Sequence, residues 1–245
     1  MALLRWPVTI YRLLVIIVVS LLMIVVSSFF FLLGKSVDWG HHNLRRIWSG
    51  LILKLCFIRA EVCAMQRLPE NMVCIFLSNH KSEYDWYMFT HFVPFNWRAV
   101  IRADLRNYSF AGPMAARLEQ VFLTPGGGAT HMLEQVEPHI KKGCSILMYP
   151  EGRRTRGPVL DEFRPGSFVM AIHFGLPVVP VAIVEERWAK KPGLFGRKFG
   201  HWPGRIKILA GSAIYGDSSL PYEQAVSDLQ SRAQQAMRQL ITNAF

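Results

Sequence analysis

The 245-residue chain has only four cysteines, and no two of them stand in a Cys-x-x-Cys spacing. Cys56, Cys63, Cys74 and Cys144 are scattered, three of them in apolar segments where a thiol behaves as a small hydrophobe, so neither a disulfide nor a zinc site is implied. The adjacent His41 and His42 do not form a metal pair, because neighbours on a helix diverge by about 100°. No Gly-x-Ser-x-Gly segment occurs, which argues against a serine lipase or esterase. Gly126-Gly127-Gly128 lacks the lysine of a P-loop and the spacing of a dinucleotide fingerprint, and reads as a flexible turn. No repeat or long low-complexity stretch is visible. Acidic residues are few, 17 against 28 lysines and arginines, which gives a formal net charge of +11. That excess favours anionic lipid and phosphorylated or acidic partners. The basic residues are dispersed and no recognition motif accompanies them, so no nucleic acid is expected as a partner.

Charge is also missing from Leu13 to Gly34, a run of 22 residues. At ~1.5 Å per residue a helix of this length can cross a hydrocarbon core of about 30 Å. It exceeds the roughly 7–15 apolar residues of a cleaved signal peptide, and Ser27-Ser28 makes a poor cleavage site, so a retained anchor is expected. Arg5 and Arg12 precede the run, whereas Lys35, Arg45, Arg46, Lys54 and Arg59 follow it. The positive-inside bias then places the body of the protein on the cytoplasmic side. Residues 37–58 mix Trp39, Trp48 and arginines with aliphatics, as an interfacial helix does; a core helix packed on a sheet has the same composition. With residues 1–60 assigned to membrane-anchoring helices, residues 61–245 suffice for one domain with a sizeable core.

The remainder alternates apolar strands and amphipathic helices. Strands are expected at Val73–Leu77, Arg98–Ile101, Gln120–Leu123, Ser145–Tyr149, Val178–Val184 and Ile206–Leu209. Helices are expected at Ser82–Phe92, Ser109–Leu118, Ala129–Lys141, Ser167–Phe174 and Tyr222–Ile241. This alternation predicts an α/β fold, a mixed and largely parallel sheet flanked by helices, behind the N-terminal membrane-anchoring helical segment.

Two segments then leave strand ends on the same rim. In Asn79-His80-Lys81-Ser82-Glu83-Tyr84-Asp85, five residues on a straight helix would turn about 500° and point His80 and Asp85 apart. With His80 in the turn and Asp85 in the first helical turns, the carboxylate can reach one ring nitrogen and leave the other as a general base. A buried structural histidine is the bland alternative. In Pro150-Glu151-Gly152-Arg153-Arg154-Thr155-Arg156-Gly157, three arginines in four residues after a glycine turn invite an anion. Glu151 can orient an arginine or contact a substrate hydroxyl, and a solvated basic loop is the alternative there.

Together these segments resemble the glycerophospholipid acyltransferase family, in particular its 1-acylglycerol-3-phosphate acyltransferases, known by Asn-His-x4-Asp and then Phe-Pro-Glu-Gly-Thr-Arg-Ser. Asn79, His80 and Asp85 match the first motif, and Tyr149 to Thr155 match the second with Arg153 at its threonine and Arg154 at its arginine. Phe163-Arg164-Pro165-Gly166-Ser167 and Leu176-Pro177-Val178-Val179-Pro180-Val181 look like the following blocks, so the likeness spans about residues 70–185. It implies catalysis by His80 and Asp85 and substrate contacts by Glu151, Gly152, Arg153, Arg154, Arg156 and Pro180. It also implies acyl-CoA or acyl-carrier protein as donor, a lysophospholipid acceptor, a membrane bilayer as partner, and no metal or other cofactor. Backbone amides near Gly152 or at the helix start after His80 are the expected oxyanion donors. One block departs: after Val121-Phe122-Leu123-Thr124-Pro125 no strand-end arginine follows, and Arg153, Arg156, Arg102 or Arg106 would have to replace it. That departure keeps another lysophospholipid or lyso-aminolipid open as acceptor, and with it a non-catalytic lipid-binding protein.

Overall fold

The computed structural model describes residues 5–65, 72–82, 84–94, 96–108, 111–124, 126–155, 159–185 and 204–244. Helices α1 (Arg5–Leu32) and α2 (Val37–Leu55) come first, followed by β1 (Ile58–Met65), β2 (Ile75–Ser78), α3 (Tyr84–Phe92), β3 (Trp97–Arg102), α4 (Ala111–Arg117) and β4 (Val121–Leu123). The chain continues with α5 (Gly128–Lys141), β5 (Ser145–Met148), α6 (Gly166–Phe174), β6 (Val178–Glu185), β7 (Gly204–Ala210) and α7 (Tyr222–Thr242). The strands form one sheet in the order β1-β7-β6-β2-β5-β3-β4, and every neighbouring pair is parallel except β6 and β7. This is the mixed, largely parallel α/β sheet that the alternation predicted.

Successive side chains of a strand face opposite ways, so each strand serves two layers. Ile75, Leu77, Ile146 and Val178 pack with Val136 of α5, Phe168 of α6 and Met237 of α7. Phe76, Leu147, Val179 and Val181 pack on the other face with Ile52 of α2 and with Met88 and Phe89 of α3. Burying each such side chain contributes about 1.5–3 kcal/mol, and the central strands β2 and β5 are enclosed from both sides. Their C-terminal ends, carrying His80 and Glu151, therefore open side by side at one rim, where ligands of α/β sheets collect.

Strand β1 was not foreseen. Arg59, Glu61, Val62 and Cys63 are all exposed, so the strand lacks a clean apolar alternation, and the aliphatic run of α2 leads straight into it. Helix α2 ends at Leu55, Phe57 takes a left-handed conformation at φ 57°, and the chain reverses into the sheet. The boundary expected between residues 60 and 61 thus falls inside β1.

Helices α1 and α2 form an antiparallel hairpin along their whole length. The Tyr11 hydroxyl donates to the Leu55 carbonyl at 3.0 Å, Trp48 Nε1 to Ser20 Oγ at 3.0 Å, and the Phe30 and Trp39 rings lie 4.7 Å apart. Helix α2 is tied in turn to α3: Arg46 Nε donates to the His91 carbonyl at 3.1 Å, and Trp48 meets Tyr87 edge-on at 5.2 Å. Arg12, counted above as a flanking charge, is instead buried. Its Nε donates to the Cys56 carbonyl at 3.2 Å, where the α2 dipole ends, and its guanidinium lies 5.6 Å from the Tyr84 ring. The outer side of α1 has no such cover: the most apolar stretch within Pro7–Leu32 has a mean hydropathy of 3.0, yet only 11% of it is buried. A core helix of that hydropathy would be enclosed; this one presents Leu14, Val18, Leu22, Val25 and Phe29 outward.

Candidate active site

His80 leaves β2 two residues after Ser78, and Asp85 is the second residue of α3. The five-residue spacing is resolved as the helical geometry required: His80 lies outside the helix and Asp85 reaches back from its first turn. His80 Nδ1 stands 2.9 Å from Asp85 Oδ2. The same carboxylate accepts the backbone amides of Lys81 at 2.5 Å and Ser82 at 2.8 Å, and the Ser82 hydroxyl at 2.9 Å. Four donors therefore converge on one buried carboxylate, 1% exposed, at a helix N-terminus, which fixes its position and keeps an anion satisfied there.

The other ring nitrogen decides the tautomer. Arg154 Nε lies 3.0 Å from His80 Nε2. A guanidinium can only donate, so Nε2 accepts and the ring proton sits on Nδ1, directed at Asp85. The lone pair a general base would use is thus capped by an arginine of the second loop. Tyr149 stacks on the imidazole at 4.3 Å with 25° between planes and limits its rotation.

Glu151 holds the two loops together. Its Oε1 accepts the His80 amide at 3.1 Å, and its Oε2 accepts the Thr155 hydroxyl at 2.8 Å and the Asp161 amide at 3.0 Å. Lys81 Nζ is 3.8 Å from the same carboxylate, donates to the Thr155 hydroxyl, and donates to the Val159 carbonyl at 2.9 Å. Burial pushes the Lys81 ammonium below the usual lysine range, and Glu151, Asp161 and Asp85 pull it back. The Thr155 amide closes the brace on the His80 carbonyl at 2.9 Å. Glu151 is 3% exposed, and both of its oxygens are occupied inside the protein, where they brace the site.

Gly152 adopts φ +68°, which disfavours any side chain, and a Cβ there would sit 2.6 Å from Arg164 Nε. The amides expected to hold an oxyanion are already engaged: His80 N with Glu151, Lys81 N and Ser82 N with Asp85, and Gly152 N with the Tyr149 carbonyl at 2.9 Å.

The arginines separate. Arg154 reaches His80, whereas Arg153 turns onto Asp161, Nε to Oδ2 at 2.8 Å and NH2 to Oδ2 at 2.7 Å, at the protein surface. Arg156 lies outside the described residues. Of the candidates to replace the missing strand-end arginine, Arg102 grips Asp104 with two bonds, at 3.0 and 2.8 Å, and Arg106 lies over the Phe122 ring at 5.1 Å. Pro180 is buried within β6 opposite Leu77 of β2, and its carbonyl accepts the Gly211 amide at 2.8 Å. Asn79 extends the β2–β6 pairing with its side chain: Nδ2 donates to the Ile183 carbonyl at 2.8 Å and Oδ1 accepts the Ile183 amide at 2.7 Å. That clamp sets where the chain turns toward His80.

Sequence reasoning passed over Lys81, Ser82, Tyr149, Thr155 and Asp161. Lys81 and Ser82 sit inside the first motif, between His80 and Asp85, and that position was the available signal. Asp161 offered none, because its partners Arg153 and Glu151 are reached only through the folded loop.

A crystal structure of the 1-acyl-sn-glycerophosphate (LPA) acyltransferase PlsC from Thermotoga maritima has the same fold, with a TM-score of 0.68 at 16% identity over 97% of each chain. A 1-acyl-sn-glycerol-3-phosphate acyltransferase of Pseudomonas aeruginosa is 28% identical over 181 residues, covering 72% of this chain and 66% of the relative. A lyso-ornithine lipid O-acyltransferase of the same organism is 28% identical over 158 residues, covering 64% of this chain and 59% of the relative. The chain thus spans two thirds or less of the length of these curated relatives. A family model described as Acyltransferase matches residues 59–184, from β1 through β6 and across both loops that build the His80 site, and by that match the chain belongs to the acyltransferase family.

Proposed function

We propose that the protein moves a fatty acyl group from an acyl thioester, of coenzyme A or acyl carrier protein, to the free hydroxyl of 1-acylglycerol-3-phosphate, giving phosphatidate and free thiol. The observation that carries this reading is the imidazole of His80 held between Asp85 and Arg154. Nδ1–H is anchored on the carboxylate, so Nε2 faces the proton to be removed. A phosphate arriving near Arg154 competes for its guanidinium, to which it is the better acceptor, and draws it off Nε2. The released lone pair takes the hydroxyl proton as the oxygen attacks the thioester carbonyl. The tetrahedral intermediate expels thiolate, which recovers the proton from the imidazolium that Asp85 has stabilised. Thioesters are already activated, so the chemistry needs neither an acyl-enzyme nor a metal.

In this reading residues 1–60 seat the enzyme at the bilayer, with the α1–α2 hairpin immersed in one leaflet. Its support is that α1 lies flat along α2, α2 lies on α3 of the catalytic part, and the outer side of α1 is bare, together with Ile47, Leu51 and Leu55 of α2. The charge excess after the apolar run favours the cytoplasmic side, where both thioester donors are available. The acceptor is tested with purified protein and either donor across lysophosphatidate, other lysophospholipids and a lyso-aminolipid. Transfer to lysophosphatidate is expected; transfer confined to another acceptor would reassign the substrate.

The arginine cap has its own consequence. Arg154→Gln is expected to raise the acceptor KM by about 10–100-fold through loss of charge-assisted hydrogen bonds to phosphate. Thiol release without acceptor should rise at the same time, because water then meets an uncapped base. If neither quantity moves, Arg154 has no part in the mechanism.

A further inference from the structure

At the far end of the helix hairpin, a cavity of about 110 Å³ lies between α1, α2 and the C-terminus of α4. Its inner end, at Ser20 and Trp48, reaches Tyr87 of α3 at 5.2 Å, and its outer end lies far from the acyl-transfer site. Arg12 packs on Tyr84 beside Asp85, and Phe30 stands 18 residues further along α1, roughly 27 Å at ~1.5 Å per residue. The space exists because residues are small where the helices face α4: Ser20, Ser27, Ser36 and Gly40 line it. The serines do not make the wall polar, since Ser20 accepts from Trp48, Ser27 bonds the Ile24 carbonyl at 3.0 Å and Ser36 caps α2. Met23, Ile24, Phe30, Phe31, Leu44 and Trp48 supply the rest of the apolar surface.

The cations of this cavity rest on rings, as Arg12 and Arg106 do, and not on carboxylates. Arg153, Arg102 and Arg232 are paired with aspartates. Lys35 and Arg117, by contrast, rest on aromatic rings, Lys35 Nζ 5.7 Å from Trp39 and the Arg117 guanidinium 5.9 Å from Phe31. Among the described residues neither has a carboxylate within ion-pair distance. Arg45 also lines the wall, with its guanidinium over the Trp97 ring at 5.1 Å and donating to the Val93 carbonyl at 3.4 Å. Burial and the nearby Arg98 and Arg46 lower its pKa to about 9, so it is still charged at neutral pH. An apolar slot rimmed by Lys35 and Arg117, which have no carboxylate partner among the described residues, complements an amphiphile with an acidic head. The slot continues into the bare apolar side of α1, where Val25, Phe29 and Leu32 are exposed, so its occupant comes from the surface that covers that side.

We propose that this cavity binds one anionic phospholipid of the bilayer, its phosphate at Lys35 and Arg117 and an acyl chain between Phe30 and Trp48. The inference rests on α1 being seated in the membrane, and it concerns a site apart from His80.

The test is equilibrium binding of dioctanoyl phosphatidylglycerol to the full chain in nonionic detergent, with dioctanoyl phosphatidylcholine and inorganic phosphate as comparisons. Two variants probe the cavity independently. Gly40→Leu fills it, because a Cβ at Gly40 meets nothing within 4 Å and leucine suits a helix better than glycine. Lys35→Gln combined with Arg117→Gln removes the rim charges. Saturable binding of the anionic lipid is expected, weakened about tenfold or more in each variant, with phosphatidylcholine and inorganic phosphate binding poorly. Acyl transfer in the same micelles should be unchanged. Equal binding by all three proteins, equal binding of phosphatidylcholine, or tight binding of phosphate alone would each overturn the proposal. If binding follows the expected pattern while no protein transfers acyl groups, the functional reading fails and this one stands.

Discussion

The His80→Ala protein is expected to transfer acyl groups about 10²–10⁴-fold more slowly than the parent, the range spanned by a general base, while its melting temperature stays close to the parent's. The two halves of this expectation come from different contacts. Activity depends on Nε2, the one ring nitrogen not bound to Asp85. Stability depends little on the ring, whose side chain is 20% exposed, and removing it leaves Asp85 with three of its four donors. The brace between the loops is made by the backbone of His80, whose amide bonds Glu151 and whose carbonyl bonds Thr155, and alanine keeps both. Turnover and a thermal melt on the same preparation check this. Transfer that persists in a folded His80→Ala protein removes His80 as the base.

At Asp85 the asparagine and alanine variants are expected to part company. Oδ2 accepts from His80, Lys81 and Ser82, while Oδ1 meets only the Ser82 hydroxyl. An asparagine can place its carbonyl where Oδ2 stands and its NH₂ toward that hydroxyl, which turns to accept. Asp85→Asn therefore keeps the fold and the His80 tautomer and loses only the negative charge beside the imidazolium. At about 4 Å and an effective dielectric near 20, that charge is worth about 4 kcal/mol, so a rate loss of about 10²–10³-fold is expected. Asp85→Ala instead leaves buried donors without an acceptor, at about 1–3 kcal/mol each, and should lower the melting temperature by several degrees as well, at about 2–4 °C per kcal/mol. Comparing turnover and melting for the two variants decides the matter. An Asp85→Asn protein with parental turnover would show that the carboxylate only positions the ring.

Much of the fold was legible from local pattern. Apolar runs such as Ser145–Met148 stand between glycine turns and amphipathic helices, and periodicity of that kind survives without knowledge of what packs where. β1 was missed because an edge strand with one exposed side carries a weak apolar signal, and here it directly follows a long aliphatic helix. The geometry of His80 and Asp85 could be read in advance because both lie within one turn-to-helix segment. Arg12 shows the limit: a sequence count places it among flanking charges, and the fold buries it at the end of a helix 44 positions away.

The chain's own residues determined most of the elements and their alternation, β1 excepted, together with the apolar length of α1 and the pairing of His80 with Asp85, because each depends on spacing within a few turns of backbone. Tertiary structure alone decided which arginine meets the imidazole, that Glu151 braces the two loops, and that α1 lies along the body with a cavity toward its far end. Those outcomes turn on competition between donors and acceptors brought together from distant segments. Arg153 finds a carboxylate 8 positions away, whereas Arg154 reaches a histidine 74 positions away. The motif sets Arg154 apart from Arg153, but what each one meets is decided by the folded loop, where Arg154 reaches His80 and Arg153 reaches Asp161.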